Sequence, residues 1–373
     1  MKTVEIVYGY HESGHYSVAN AIQIAVEQLG ASATISKLFE GQSRNWMTLF
    51  ETFRSVNDQR SLNFPDIFGS DEVLLGISDT VRARSLQIKA DVIVSTHPYT
   101  SYALAEAIPS GKTLIYDVHT NYTPGPVFPH PRIDGYFTPI PRPELPYCFR
   151  SRSVECKVPL PHELQPKDGE DAKKKDWLLA LGADGWGDLS DLHRVLRILP
   201  SDAILHVLAG RNYKAVSAVV PSTLRNVNVV PFKSDIGEYL RKSKFVFSKA
   251  SGSTITEAIA HRCVPVFVRS YVPWELQAAR HLVEAGVGIY LDDLIWIVGQ
   301  LADNEVWKRY VDKSQSFRSQ ILVAADKIAA GLMAGSLTPS QQLLENPSIP
   351  RPSNDPLGQL LQKKILRWGS DDC

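Results

Sequence analysis

The sequence has few cysteines, and it spaces them too irregularly for disulfides or structural zinc to organise the fold. Cys148, Cys156, Cys263 and Cys373 are the four, and no two stand as a Cys-x-x-Cys pair. Free thiols are expected, and no metal. Nor is there a run of about 18 consecutive apolar residues, which excludes a helix spanning a membrane. An excess of charge is missing too: 40 Lys and Arg face 40 Asp and Glu. Without net positive charge the chain has no long-range field to gather nucleic acid, so no nucleic-acid partner is expected. The opening Lys2-Thr3-Val4-Glu5-Ile6-Val7-Tyr8 reads as a strand and not as a signal sequence. The expected location is cytoplasmic, with peripheral attachment to the inner face of the membrane left open.

What is present is enough for two folded domains. The chain has 373 residues, 44% hydrophobic and 21% charged, too many for a single compact core. In the first part, strands are expected at residues 4–8, 91–95, 113–117 and 135–138. From His15 onward Val18, Ala21, Ile22, Ala25, Val26 and Leu29 recur at three- and four-residue spacing and stop at Gly30, which predicts a helix with one buried face. A second helix is expected over 99–108. Strands alternating with helices imply parallel pairing, and ligands then bind at the carboxyl ends of the strands. The residues there are 9–15, 95–98 and 117–121. Prolines 159, 161 and 166 and a charged run, 167–176, read as an interdomain linker.

Further strands are expected at 177–181, 203–209, 228–232, 244–248, 264–268 and 287–291, with helical text from 303 to 333. The architecture is therefore α/β, two doubly wound domains in series. The divisions are 1–160, a linker at 161–176, 177–335, and a tail at 336–373. The tail carries an amphipathic piece over 357–368, with Leu360, Leu361, Ile365 and Trp368 near one face. That piece either packs on the first domain or lies on a membrane surface.

The chemistry concentrates after the 244–248 strand. Ser251, Gly252, Ser253 and Thr254 form a turn of small residues leading into a helix, so a ligand can approach the backbone and meet the unbonded amides of the first turn. The helix dipole adds partial positive charge there, which suits a diphosphate without a metal. Glu257, one turn on, is placed to accept hydrogen bonds from ribose hydroxyls. Gly210, Arg211 and Asn212 end another strand of the same domain, where an arginine can pair with phosphate or stack on a base. Phe232 ends the next strand. Trp274, Glu275 and Gln277 open a helix expected to face the 251–254 turn.

These residues resemble, in order, the donor-binding region of two related families: the monogalactosyl- and glucosyl-diacylglycerol synthases, and the peptidoglycan N-acetylglucosaminyltransferase that makes lipid II. Lys249-Ala-Ser-Gly-Ser-Thr254 with Glu257 and Pro265 is similar to their glycine-rich turn, ribose-binding glutamate and following strand. Ala209-Gly-Arg-Asn212 resembles the galactolipid synthases' glycine-arginine-asparagine turn. In the first domain, Ser13-Gly14-His15 is similar to their glycine-glycine-histidine loop, and 91–98, 114–117 and 134–137 to strands of the acceptor domain. Tyr10-His-Glu-Ser-Gly14 replaces the family's run of glycines, and Pro273-Trp-Glu275 its glycine-glutamine-glutamate.

The resemblance implies the GT-B fold, two Rossmann-like domains with an interdomain cleft. The first domain would bind the acceptor and the second a UDP-sugar, the co-substrate of an enzyme with no other cofactor. It implies an inverting transfer of a hexose or N-acetylhexosamine to an acceptor hydroxyl, a lipid hydroxyl among the candidates. His15 is the candidate base, and Asp117 either orients it or is itself the base. Gly14 belongs with the donor contacts, and His97 and His119 with the acceptor pocket or, for at least one of them, with packing. Trp46 lies in a segment, 43–55, rich in aromatic and basic residues, that either reaches an anionic membrane surface or packs on the sheet as an ordinary amphipathic helix. Two other readings stay open: a sugar-nucleotide 2-epimerase on the same fold, and a non-catalytic subunit that binds nucleotide sugar.

Overall fold

The computed structural model describes residues 2–9, 14–38, 87–109, 111, 113–122, 130–140, 151–166, 174–182, 185, 189, 191–220, 224–233, 235–268 and 273–335. Segment 43–55, with Trp46, and the amphipathic piece 357–368 lie outside them. The chain divides into two compact units, one of Met1–Pro159 with Ala324–Cys373 and one of Leu160–Val323.

The first unit is built on a parallel sheet of β1 (Thr3–Tyr8), β2 (Ser32–Lys37), β3 (Val92–Ser95), β4 (Leu114–Val118), β5 (Gly135–Thr138) and β6 (Ser153–Glu155), in the order β2-β1-β3-β4-β5-β6. Helix α1 (Gly14–Gln28) follows β1 and buries Val18, Ala21, Ile22, Ala25 and Val26, the stripe read from the sequence. Helix α2 (Pro98–Ala107) follows β3, and its Ala103 and Leu104 join Ile93, Ile115 and Tyr136 in a core on the sheet. All four residues of β3 and of β5 are buried, as continuous apolar strands covered on both faces require. From β1 the chain steps to β2 on one side and then to β3 on the other. Neighbouring loops at the carboxyl edge therefore part between β1 and β3, the switch point where such sheets bind ligands.

In the second unit the order is β12-β11-β10-β7-β8-β9, again all parallel: β7 (Asp176–Ala180), β8 (Leu205–Gly210), β9 (Val227–Pro231), β10 (Ser243–Ser248), β11 (Val264–Phe267) and β12 (Ile289–Tyr290). The connecting helices are α3 (Leu192–Ile198), α4 (Tyr213–Val219), α5 (Gly237–Lys242), α6 (Gly252–Ala260) and α7 (Pro273–Glu284). After them come α8 (Leu291–Val298), α9 (Asp303–Lys313) and α10 (Gln315–Leu322). Trp177, Leu179, Phe245 and Phe247 meet at the centre of one face, with Trp177 packed edge-on to Phe245 at 5.3 Å between ring centroids. The switch point here lies between β7 and β10.

Two boundaries differ from the sequence reading. Residues 324–335, read as the end of the second domain, form α11 (Ala324–Ala334), which belongs to the first unit. There Lys2 Nζ donates to the carbonyls of Leu332 (2.8 Å) and Met333 (3.3 Å), and Lys327 Nζ donates to the Glu155 carbonyl at 2.6 Å. Part of the expected linker is likewise structure of the second unit: a 3-10 turn at His162–Leu164, whose Leu164 carbonyl takes a 2.9 Å bond from His261 Nε2. Helical periodicity predicts that 324–334 is a helix, but it does not say which sheet the apolar face will cover. Strands β2 and β6 also add an edge each that the sequence reading did not include.

Leu332 is fully buried, so Leu332→Ala should lower stability by about 3 kcal/mol. Hydrogen exchange should locate the loss in α1 and β1 while β7 to β11 stay protected. The reverse pattern would return α11 to the second unit.

Candidate functional site

In the second unit β10 brings residues 249–251 to the carboxyl edge beside β7. The chain turns tightly there, the Ser251 N–H donating to the Lys249 carbonyl at 2.6 Å, and the Ser251 carbonyl accepts from Ile255 N–H at 3.0 Å to start α6. Ser251 stands at the cap position, yet its hydroxyl makes no capping bond. The amides of Ser253 and Thr254 have no carbonyl within the helix to serve, and the dipole adds positive charge at this end. The far end of α6 is held by protein: Arg318 Nε donates to the Ala260 carbonyl at 2.7 Å and Trp307 Nε1 to that of Arg262 at 2.8 Å.

Lys249 reaches across to α7, its Nζ lying 2.9 Å from Glu275 Oε1, and Glu275 is buried. This ion pair sets Glu275 against the turn, on the side expected from the sequence, and Lys249 is a contributor the sequence reading left without a role. Gln277 is half-buried two residues along the same helix. The Trp274 side chain lies outside the described residues. Glu257 sits on α6, half-buried. Burial pushes its carboxyl up to about 7, and the neighbouring Asp235 carboxylate adds to the rise. Asp235, which the sequence did not flag, is fixed by accepting the Gly237 N–H at 2.7 Å.

On the other side of β7, the end of β8 carries Gly210 and Arg211. The Arg211 guanidinium lies 4.6 Å from the centroid of the exposed Phe232 ring, so two expected donor residues form a cation–π pair. Asn212 Nδ2 donates to the Gly185 carbonyl at 3.4 Å. Gly185 has φ +70°, and a Cβ there would lie 2.0 Å from the Ala209 carbonyl oxygen, so only glycine lets the loop after β7 close onto the end of β8.

The first unit has its own cluster at its switch point. Gly14 starts α1 and His15 follows. His15 Nδ1 lies 2.6 Å from the Thr96 carbonyl oxygen and 3.0 Å from Thr120 Oγ1, while Thr96 Oγ1 donates to the His15 carbonyl at 3.1 Å. Asp117, expected either to orient the ring or to be itself the base, is not what holds the ring: Thr96 and Thr120 do. A backbone carbonyl has no sequence signature, so this was not readable beforehand. The His97 ring packs edge-on against that of His15 with centroids 4.7 Å apart, and the Ser95 hydroxyl donates to the His97 carbonyl at 2.9 Å.

Burial holds the His15 imidazole below its ordinary range, against the opposing pull of the Thr96 bond and the Asp117 charge, and burial holds His97 lower still. Asp117 is buried at the end of β4. Its Oδ2 lies 2.9 Å from His119 Nε2, though out of line for a good hydrogen bond, and Oδ1 has no hydrogen-bond partner among the described residues. Among those residues no group of three His, Cys, Asp or Glu could hold a metal ion, and no helix is long and apolar enough to cross a membrane.

The raised Glu257 carboxyl makes a testable demand on stability. The folded form keeps its proton to a higher pH than the unfolded chain, where glutamate titrates near about 4.3. Stability from this group is therefore complete below that pH and is lost as pH rises through about 7. Urea midpoints of unliganded wild type and Glu257→Gln should diverge over that window, the Gln variant becoming relatively more stable. Parallel profiles would remove the raised carboxyl.

No protein-family profile and no curated protein sequence matches the chain. Solved structures do. MurG from Acinetobacter baumannii is 15% identical, over 90% of this chain and 100% of its own, at a TM-score of 0.58. The Streptomyces sp. SF2575 glycosyltransferase SsfS6, complexed with thymidine diphosphate, is 11% identical, over 90% of this chain and 100% of its own, at 0.57. A protein described as a UDP-N-acetylglucosamine 2-epimerase from Listeria monocytogenes is 14% identical, over 91% of this chain and 98% of its own, at 0.54. The chain therefore has the GT-B fold of two Rossmann-like α/β units, a fold that glycosyltransferases share with that epimerase.

Proposed function

We propose that this protein is an inverting, metal-independent glycosyltransferase that moves a hexose or N-acetylhexosamine from a UDP-sugar to an acceptor hydroxyl. The observation that carries the reading is the uncapped amino end of α6 at the β7/β10 switch point, flanked by the Lys249–Glu275 pair. The thymidine diphosphate bound to SsfS6 supports a nucleoside diphosphate as the ligand of this fold.

In this mechanism the second unit holds the donor. The Ser253 and Thr254 amides and Arg211 receive the diphosphate, Glu257 accepts from the ribose hydroxyls, and Glu275 and Gln277 contact the sugar. The first unit supplies the base. The acceptor oxygen attacks the anomeric carbon as its proton passes to His15 Nε2. The bond from that carbon to the diphosphate oxygen breaks, and the electron pair leaves with the nucleotide. A buried imidazole that is neutral near pH 7 suits proton uptake. A lipid acceptor at an anionic membrane surface is part of this reading, and flotation with anionic vesicles tests it: failure to bind them leaves a water-soluble acceptor.

Thermal shift across UDP-, GDP- and dTDP-sugars should single out a uridine nucleotide. His15→Ala should then lower kcat by about 10²- to 10⁴-fold with UDP affinity, read by calorimetry, unchanged. Near-normal turnover would remove His15 from the mechanism. Conversion of UDP-N-acetylglucosamine to an epimer with no acceptor present would favour the epimerase that shares the fold.

A further inference from the structure

We propose that Thr120 is a positioning residue for His15, acting with the Thr96 carbonyl to fix which ring nitrogen is the base. The proposal rests on the role given to His15 above and supplies what that role needs, a defined tautomer.

A carbonyl oxygen only accepts, so the 2.6 Å contact from His15 Nδ1 to Thr96 requires a proton on Nδ1. Thr120 Oγ1 lies 3.0 Å from the same nitrogen, so its oxygen is a second acceptor for that N–H, a three-centre bond. In the neutral ring the lone pair is then on Nε2. The backbone is fastened as well, since Thr96 Oγ1 donates to the His15 carbonyl at 3.1 Å. Thr96 and Thr120 are both buried, where a directed hydrogen bond cannot be traded for water. The titratable groups nearby are His97 against the ring face and Asp117, with His119 beside the latter. When Nε2 takes the acceptor's proton, the ring becomes a cation and the Nδ1–H bond to both oxygens strengthens. Thr96 and Thr120 thus stabilise the protonated state that attack creates, the role that a directly bonded carboxylate fills in a Ser-His-Asp triad.

The alternative is that Thr120 only fills space. Thr120→Val keeps the shape and removes the oxygen, while Thr120→Ser keeps the oxygen. Long-range proton–nitrogen NMR on full-length protein labelled with 15N-histidine, the His15 signal identified through His15→Gln, should show the Nδ1–H form in wild type. In Thr120→Val the His15 titration midpoint should move down. In the same variant kcat should fall roughly 10-fold with KM for the UDP-sugar unchanged. Thr120→Ser should restore both. An Nε2–H ring in wild type, or a His15 titration unmoved by Thr120→Val, overturns the proposal. If no donor supports transfer while the NMR result holds, the arrangement of His15 stands and the transferase reading falls instead.

Discussion

Every hydrogen-bonded strand pair in the two sheets is parallel, so each strand must be followed by a crossover that carries the chain back to the edge where the strand began. All carboxyl ends in a sheet then point the same way, and every functional loop is delivered to one rim. Where the winding changes direction, between β1 and β3 in one sheet and between β7 and β10 in the other, adjacent loops diverge and the backbone is open to a ligand. His15, Thr96 and His97 occupy the first opening. The 249–254 turn occupies the second. Neither cluster needs special backbone strain to exist; both follow from strand order.

Electrostatics separates the two clusters. The second unit gathers a helix amino end, Lys249 and Arg211, all favourable to an anion, around carboxylates that are themselves restrained. Glu275 is neutralised by Lys249, and Glu257 is held partly protonated by burial and Asp235. The first unit works with imidazoles kept neutral by burial and a carboxylate, Asp117, buried alongside them. One cluster is electrostatically suited to an anion. The other offers neutral imidazoles beside a buried acid.

Much of the fold was legible because buried parallel strands are runs of apolar residues: Val92-Ile-Val-Ser95 and Lys244-Phe-Val-Phe-Ser248 announce themselves, and so does the α1 stripe. The small-residue turn at 251–254 was visible for a similar reason, since Ser-Gly-Ser-Thr breaks off the apolar run of the strand before it. Three things were hidden. Strand β2, Ser-Ala-Thr-Ile-Ser-Lys, is polar at four of its six positions, lies at a sheet edge and lacks the apolar run. The destination of α11 depends on a partner surface more than 290 residues upstream, as the Lys2 bonds show. The contacts that define each cluster, Thr96 to His15 and Lys249 to Glu275, join residues far apart in sequence, one of them through a backbone oxygen.

Because α11 belongs with the first unit, the polypeptide leaves that unit near residue 159 and returns to it near residue 324. The second unit is in effect an insertion. During synthesis from the amino end, the whole of β7 to α10 emerges from the ribosome before the helix that packs on α1 does. The inserted unit can therefore finish folding while its host still exposes the apolar surface meant for Ile328, Ala329 and Leu332. Until that helix emerges the surface has no partner from its own unit, so a chain released early would carry one complete unit and one open one.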